Sequence, residues 1–223
     1  TEKILVARKN KLGHDHPDIA LSYYNLGAAY KKKGEYDRAI EHYEKSLRIR
    51  LDKLGHDHPD IALSYNKLGL AYGNKGEYGR AIEHYEKSLR IWLEKLGHDH
   101  PDVAPLYNNL GLAYTNKGEY GRAIEHYEKS LRISLEKLGH DHPIVALSYN
   151  NFGLAYDNKG EHDRAIEYYE KSLRISLEKL GHDHPNVALS YNNLGLAYDN
   201  KGEHDRAIEY YEKSLRIWLE KLG

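Results

Sequence analysis

The sequence predicts an all-α fold, an α-solenoid in which antiparallel helix pairs stack into a right-handed superhelix. Two observations carry this. The string LGHDHP begins at Leu12, Leu54, Leu96, Leu138 and Leu180, so one unit of 42 residues is written five times within 223. Each unit holds two stretches with apolar residues at helical spacing, separated by glycine, and neither can bury its stripe alone. Stacking neighbouring units solves that problem.

The units run 13–54, 55–96, 97–138, 139–180 and 181–222, as one continuous repeat domain. Residues 1–12 match the end of a unit, because Glu2, Lys3, Leu5, Lys11 and Leu12 align with Glu212, Lys213, Leu215, Lys221 and Leu222. They are expected to form a partial second helix of a preceding repeat. Together with the absence of any methionine, this suggests a piece of a longer array.

Within the second unit, His58 precedes a proline, which pushes it out of the helical region and places it at the N-cap. Pro59 suits the first helical turn, and Asp60 puts negative charge near the positive helix end. Helix A is predicted from Pro59 to Asn74, with the turn at Gly76 in NKGEY. Helix B follows from Tyr78 to Leu96, and Gly97 is expected to close it as a left-handed C-cap.

Composition narrows the function. Lys and Arg number 33 against 34 Asp and Glu, a net charge of -1, so nothing marks the chain for nucleic acid or an anionic membrane. Without cysteine there are no disulfides or thiolate metal sites, and no apolar run reaches the roughly 20 residues of a membrane span. A cytoplasmic location fits. The repeated His-Asp-His lies beside a helix-starting proline, where capping explains it better than metal binding. The 21 tyrosines follow the helix-packing period without a basic stripe, so they read as core. No single nucleophile is set apart with a base, and each glycine serves a turn or cap, so neither an enzyme nor a cofactor is expected.

The order Tyr65, Leu68, Gly69, Tyr72, Ala81 and Tyr85 resembles the tetratricopeptide repeat (TPR) pattern. The 42-residue length and the strings LGHDHPDVA and YNNLGLAYTNKGEY are similar to the kinesin light chain class of these repeats. The resemblance covers essentially the whole chain. It implies five TPR-like units and an interaction scaffold whose concave surface, lined by A helices, binds a peptide segment of a protein partner.

The helical period separates the faces of helix A. In the fifth unit Tyr191, Leu194, Gly195 and Tyr198 form the packing stripe, and Leu189, Asn192, Asn193, Leu196, Asp199 and Asn200 lie opposite. The opposite face forms columns through the array. One holds Tyr24, Asn66, Asn108, Asn150 and Asn192, and the next holds Asn25, Lys67, Asn109, Asn151 and Asn193. A third holds Ala28, Leu70, Leu112, Leu154 and Leu196, and a fourth Lys32, Asn74, Asn116, Asn158 and Asn200. Amides can pair with an extended peptide backbone while leucines contact its side chains. Lys31, Lys32 and Lys67 lie toward one end and Asp157 and Asp199 toward the other, so an electrically polar groove is expected.

One column of helix B breaks the regularity, with Arg50, Trp92, Ser134, Ser176 and Trp218 at a position central to the apolar stripe. Trp218 lies in the last unit, with no following repeat in this sequence to cover it, and is expected on an exposed terminal face. That gives an alternative function, a self-associating structural array forming a homo-oligomer, dimeric or end to end.

Overall fold

The structure, a computed structural model, describes residue 13 and residues 15–222. The partial helix expected over 1–12 and the first histidine of the first His-Asp-His, His14, lie outside the described residues. Among the described residues there are ten α-helices: α1 Pro17–Lys32, α2 Tyr36–Leu54, α3 Pro59–Lys75, α4 Tyr78–Leu96, α5 Ala104–Lys117, α6 Tyr120–Leu138, α7 Pro143–Asn158, α8 His162–Leu180, α9 Pro185–Lys201 and α10 His204–Leu222. Odd-numbered helices are the predicted A helices and even-numbered ones the B helices. The chain divides into two compact units, Thr1–Ala113 and Tyr114–Gly223.

Each A helix starts as the sequence dictates. The imidazole Nδ1 of His16, His58, His100, His142 and His184 accepts from the backbone N–H two residues on, at 3.2, 3.1, 3.2, 3.2 and 3.1 Å. This satisfies one orphan donor of the first turn and accounts for the second histidine of His-Asp-His. The third unit deviates. Pro105 replaces the leucine of the other units and has no N–H to give to residue 101, so Pro101–Val103 tightens into a 3₁₀ turn before α5 begins.

The exit from helix B differs from expectation. Gly97 has φ 81° and ψ 174°, a positive φ with an extended ψ rather than the left-handed helical cap. That conformation is nearly glycine-only and leads the chain straight away from the helix, held by one bond from Gly97 N–H to the Leu93 carbonyl. The left-handed cap occurs instead at Gly76, with φ 86° and ψ 4°.

Helices A and B of one repeat meet through glycine and tyrosine. A Cβ at Gly69 would fall 2.6 Å from the Tyr85 ring, and one at Gly153 would fall 2.5 Å from the Tyr169 ring. Only glycine lets these helices approach so closely. The Ser88 hydroxyl adds a buried bond of 2.7 Å to the Ala62 carbonyl. At the turn, Glu77 holds Lys75 at 2.6 Å and Arg80 at 3.2 Å, which explains the NKGE string.

Consecutive repeats are tied as well. In the first unit the Tyr72 hydroxyl donates to Glu44 at 3.1 Å, and Lys75 reaches Asp37 at 2.6 Å. In the second, Lys201 reaches Asp163 at 2.8 Å. Apolar centres include Ile19, Ala20, Tyr23 and Ile49 in the first unit and Val145, Ala146 and Ile175 in the second.

Candidate functional site: the open face of the A helices

With the tyrosine and glycine stripe turned inward, each A helix leaves the other side uncovered. Leu21 and Leu63 in the first compact unit and Leu147 and Leu189 in the second are exposed at one and the same repeat position, which Pro105 takes in the third repeat. Leu112 and Leu196 are exposed as well, and Leu70 and Leu154 are half-buried. These leucines border the asparagines.

The asparagines bond to one another between repeats. Asn109 Nδ2 donates to Asn66 Oδ1 at 3.2 Å, and Asn193 Nδ2 donates to Asn150 Oδ1 at 2.7 Å. The partners lie 43 residues apart, one repeat plus one position, so the two predicted columns interlock diagonally. Each earlier asparagine keeps both amide hydrogens and each later one keeps its carbonyl oxygen. The open face thus retains donors and acceptors after the rungs have formed. Asn108 and Asn151 are half-buried at the corresponding positions, and Asn192 is exposed. At the equivalent positions of the first two repeats the sequence has Tyr24 and Lys67, a pair that cannot form an amide rung.

The fourth column behaves differently. Asn74, Asn116, Asn158 and Asn200 are exposed. Asn158 Nδ2 bonds to the Leu154 carbonyl of its own helix at 2.9 Å, whereas Asn200 Nδ2 bonds to Asp157 Oδ2 at 3.0 Å. Lys32 is exposed and Lys31 half-buried.

Asp157 corrects the picture of a groove with one negative end. It is only 8% exposed and also meets His162 Nδ1 at 2.7 Å, so its charge is consumed internally by an Asn200, Asp157, His162 chain. Asp199 pairs with His204 at 2.8 Å and stays exposed. Sequence reading missed this network, although a signal exists. His162 and His204 each follow an aspartate by five residues, while Tyr36, Tyr78 and Tyr120 at the same place follow Lys31, Gly73 and Thr115.

Another histidine column lies inside helix B. His84 stacks on Tyr72 with ring centroids 5.2 Å apart, and its Nδ1 is buried without a hydrogen-bond partner. Burial, reinforced by Lys87, holds its pKa down to about 4, and burial does the same to His126.

The irregular column of helix B has a packing explanation after all. The Arg50 guanidinium donates to the Ser64 hydroxyl at 2.8 Å, fourteen residues on in the next A helix. The equivalent pairs are Trp92 with Leu106, Ser134 with Ser148, and Ser176 with Ser190. At these equivalent positions the sequence matches polar with polar and apolar with apolar. Trp218 is 44% exposed on α10, beside the exposed Ile208, Leu215 and Leu219.

Among the described residues no group of three or more His, Asp or Glu is placed to hold a metal, and no helix is long and apolar enough to cross a membrane.

The tetratricopeptide repeat family model matches residues 2–52, 18–94, 60–136, 102–178 and 158–220. The chain belongs to the tetratricopeptide repeat family. Comparison with curated protein sequences gave no match. Among solved structures, a Podosopora anserina protein described as a kinesin light chain with nearly identical TPR-like repeats has a TM-score of 0.80 at 27% identity, covering 92% of this chain and 98% of that one. BtubC (BKLC) from P. vanneervenii has a TM-score of 0.79 at 25% identity, covering 98% and 86%. MamA has 0.62 at 29% identity, covering 91% and 93%. The first of these neighbours is kinesin light chain-like, and the fold is that of a TPR solenoid, a scaffold for protein interaction. Families of this kind are typically scaffolds without catalysis, whose partners are proteins.

Proposed function

We propose that this chain is a scaffold that binds an extended segment of a partner protein along the open face of its A helices. The observation that carries the reading is the arrangement of that face. Amide rungs retain donors and acceptors suited to a peptide backbone, flanked by leucines left exposed at regular positions. The face holds little charge, which suits an uncharged backbone and apolar side chains. Lys31, Lys32 and Lys67 are secondary contacts on this reading. The test uses exposed residues, so that stability and binding separate. Asn192→Ala with Leu196→Ala is expected to leave the melting temperature unchanged and to weaken capture of random displayed peptides; undiminished capture would refute the reading.

A second reading rests on the Ile208, Leu215, Trp218 and Leu219 face of α10, whose residues are 55, 57, 44 and 60% exposed. An apolar surface of that kind suits self-association. Sedimentation over a range of concentrations tests it, and a monomer at all of them sinks it. If association occurs, Trp218→Gln is expected to abolish it.

A further inference from the structure

A cavity of about 120 Å³ opens between repeats 4 and 5. Its walls include Ala146, Leu147, Ile175 and Leu189, with Ser176 and Ser190 among them. Leu147 and Leu189 are 56% and 51% exposed, so they continue the open leucine column into the cavity. The matching site three repeats earlier, between repeats 1 and 2, has a different chemistry. It is lined by Asp18, Arg50, Lys53 and Asp60. Adding 126 residues to the first, second and fourth of these gives Ile144, Ser176 and Asn186, so three charges have been removed from the later site. Of the residues lining the later cavity, Lys179 alone is charged.

The junction between repeats 2 and 3 completes the contrast. There the serine pair is replaced by Trp92 and Leu106, and Leu106 is only 2% exposed. Tryptophan and leucine carry far more bulk at these two positions than two serines do, so the array itself offers a residue pair with which to fill the later cavity.

We propose that the cavity between repeats 4 and 5 is a side-chain pocket that seats one leucine or isoleucine of the partner segment. The proposal rests on the reading of the A-helix face as a peptide surface and names its anchor. Size supports the choice, since a space of about 120 Å³ open on one side admits a branched aliphatic group against Ala146, Leu147, Ile175 and Leu189, with Asn150, Ser172 and Asn186 also in the lining. Chemistry supports it too, because a basic side chain would meet Lys179 and no carboxylate, while Leu147, Ile175 and Leu189 offer branched aliphatic walls.

The probe is a phage-displayed library of random peptides selected on the whole chain. A peptide recovered from it is then titrated against wild type and the Ser176→Trp, Ser190→Leu double variant. The recovered peptides are expected to share a leucine or isoleucine at one position. Changing that residue to alanine costs roughly tenfold or more in affinity on wild type, in line with burial of an aliphatic side chain, and nothing on the plugged variant. Circular dichroism checks that the plugged chain folds. If it does not, Leu189→Asp makes the same test from an exposed position. Peptides without an aliphatic position, or an unchanged preference on the plugged variant, overturn the pocket and leave the peptide surface standing. Failure to recover any peptide overturns the peptide surface and the pocket with it.

Discussion

Repeats 1 to 3 and repeats 4 and 5 share one frame but exchange two aromatic rings. In the first group tyrosine opens helix B, at Tyr36, Tyr78 and Tyr120, and histidine sits six residues on, at His42, His84 and His126. In the second the order is reversed, with His162 and His204 at the start and Tyr168 and Tyr210 inside. The inner ring stacks on the same tyrosine of helix A in both cases, His84 on Tyr72 at 5.2 Å and Tyr168 on Tyr156 at 5.4 Å. The stack needs a flat ring of either kind. What the exchange alters is the chemistry attached to that ring: a buried group that cannot ionise comfortably in the first repeats, and a histidine moved out to meet an aspartate in the last two.

The frame itself should be equally strong in both regions, and the largest effect tests that. Tyr85 and Tyr169, 4% and 2% exposed, each lie over a helix A glycine. Replacing either with alanine is expected to cost about 3–5 kcal/mol, as for other large buried aromatics. Urea denaturation of the two variants should give similar losses, and a markedly smaller loss in one would mean that the regions differ in their frame as well.

The next effect separates the two last repeats from each other. Asp157 is buried and holds both Asn200 and His162, while Asp199 makes the same histidine contact at an exposed site. Asp157→Ala removes two hydrogen bonds to a buried carboxylate and is expected to cost about 1–3 kcal/mol, whereas Asp199→Ala stays within about 0.5 kcal/mol. Equal losses in thermal denaturation would show that the buried chain of contacts adds nothing to the histidine pair.

A change of pH acts on the first region through its inner histidines. The pKa of His84 falls from 6.5 to about 4 on folding because burial penalises its charged form, with Lys87 and Arg80 opposing the proton and Glu83 favouring it. Between those values the unfolded chain holds more protons, so stability is complete above about 6.5 and declines as pH falls toward 4. His126 moves the same way. Each contributes on the order of 1–2 kcal/mol after allowance for residual solvent screening. The His84→Tyr, His126→Tyr variant copies the inner ring of repeats 4 and 5, and its stability should be flatter over this window. An unchanged acid dependence would place the sensitivity outside these two rings.

Much of this architecture was legible in the sequence because it depends on local rules. Pro59 after His58, Gly76 after the last helical turn and the spacing of Tyr65, Leu68 and Tyr72 each specify backbone or packing within a few residues. The open face was legible for the same reason, since the helical period alone separates Asn192 and Leu196 from Tyr191 and Tyr198. What escaped depends on neighbours one repeat away. Asp157 looked like a groove charge until Asn200 and His162 were placed around it, and Gly97 looked like a left-handed cap although the extended link to the next proline requires a different ψ. The pairing of Arg50 with Ser64 was likewise hidden, because fourteen residues of chain separate two side chains that only the turn between repeats brings together.

The asparagine columns lie between these cases, and the smallest effect decides how far they belong to the frame. Asn193 donates to Asn150 at 2.7 Å, whereas Asn192 is exposed. Asn193→Ala removes one partly buried hydrogen bond and is expected to cost about 0.5–1.5 kcal/mol, while Asn192→Ala costs close to nothing. In a helix, alanine also restores propensity of about half a kcal/mol that asparagine lacks, so the loss at Asn193 is a net figure and Asn192→Ala can be slightly stabilising. If denaturation shows the two variants to be equally stable, the amide rung contributes no net stability and the asparagines belong to the peptide surface alone. If Asn193→Ala is the weaker fold and both variants bind peptides less well, one residue type ties the repeats together and presents their face.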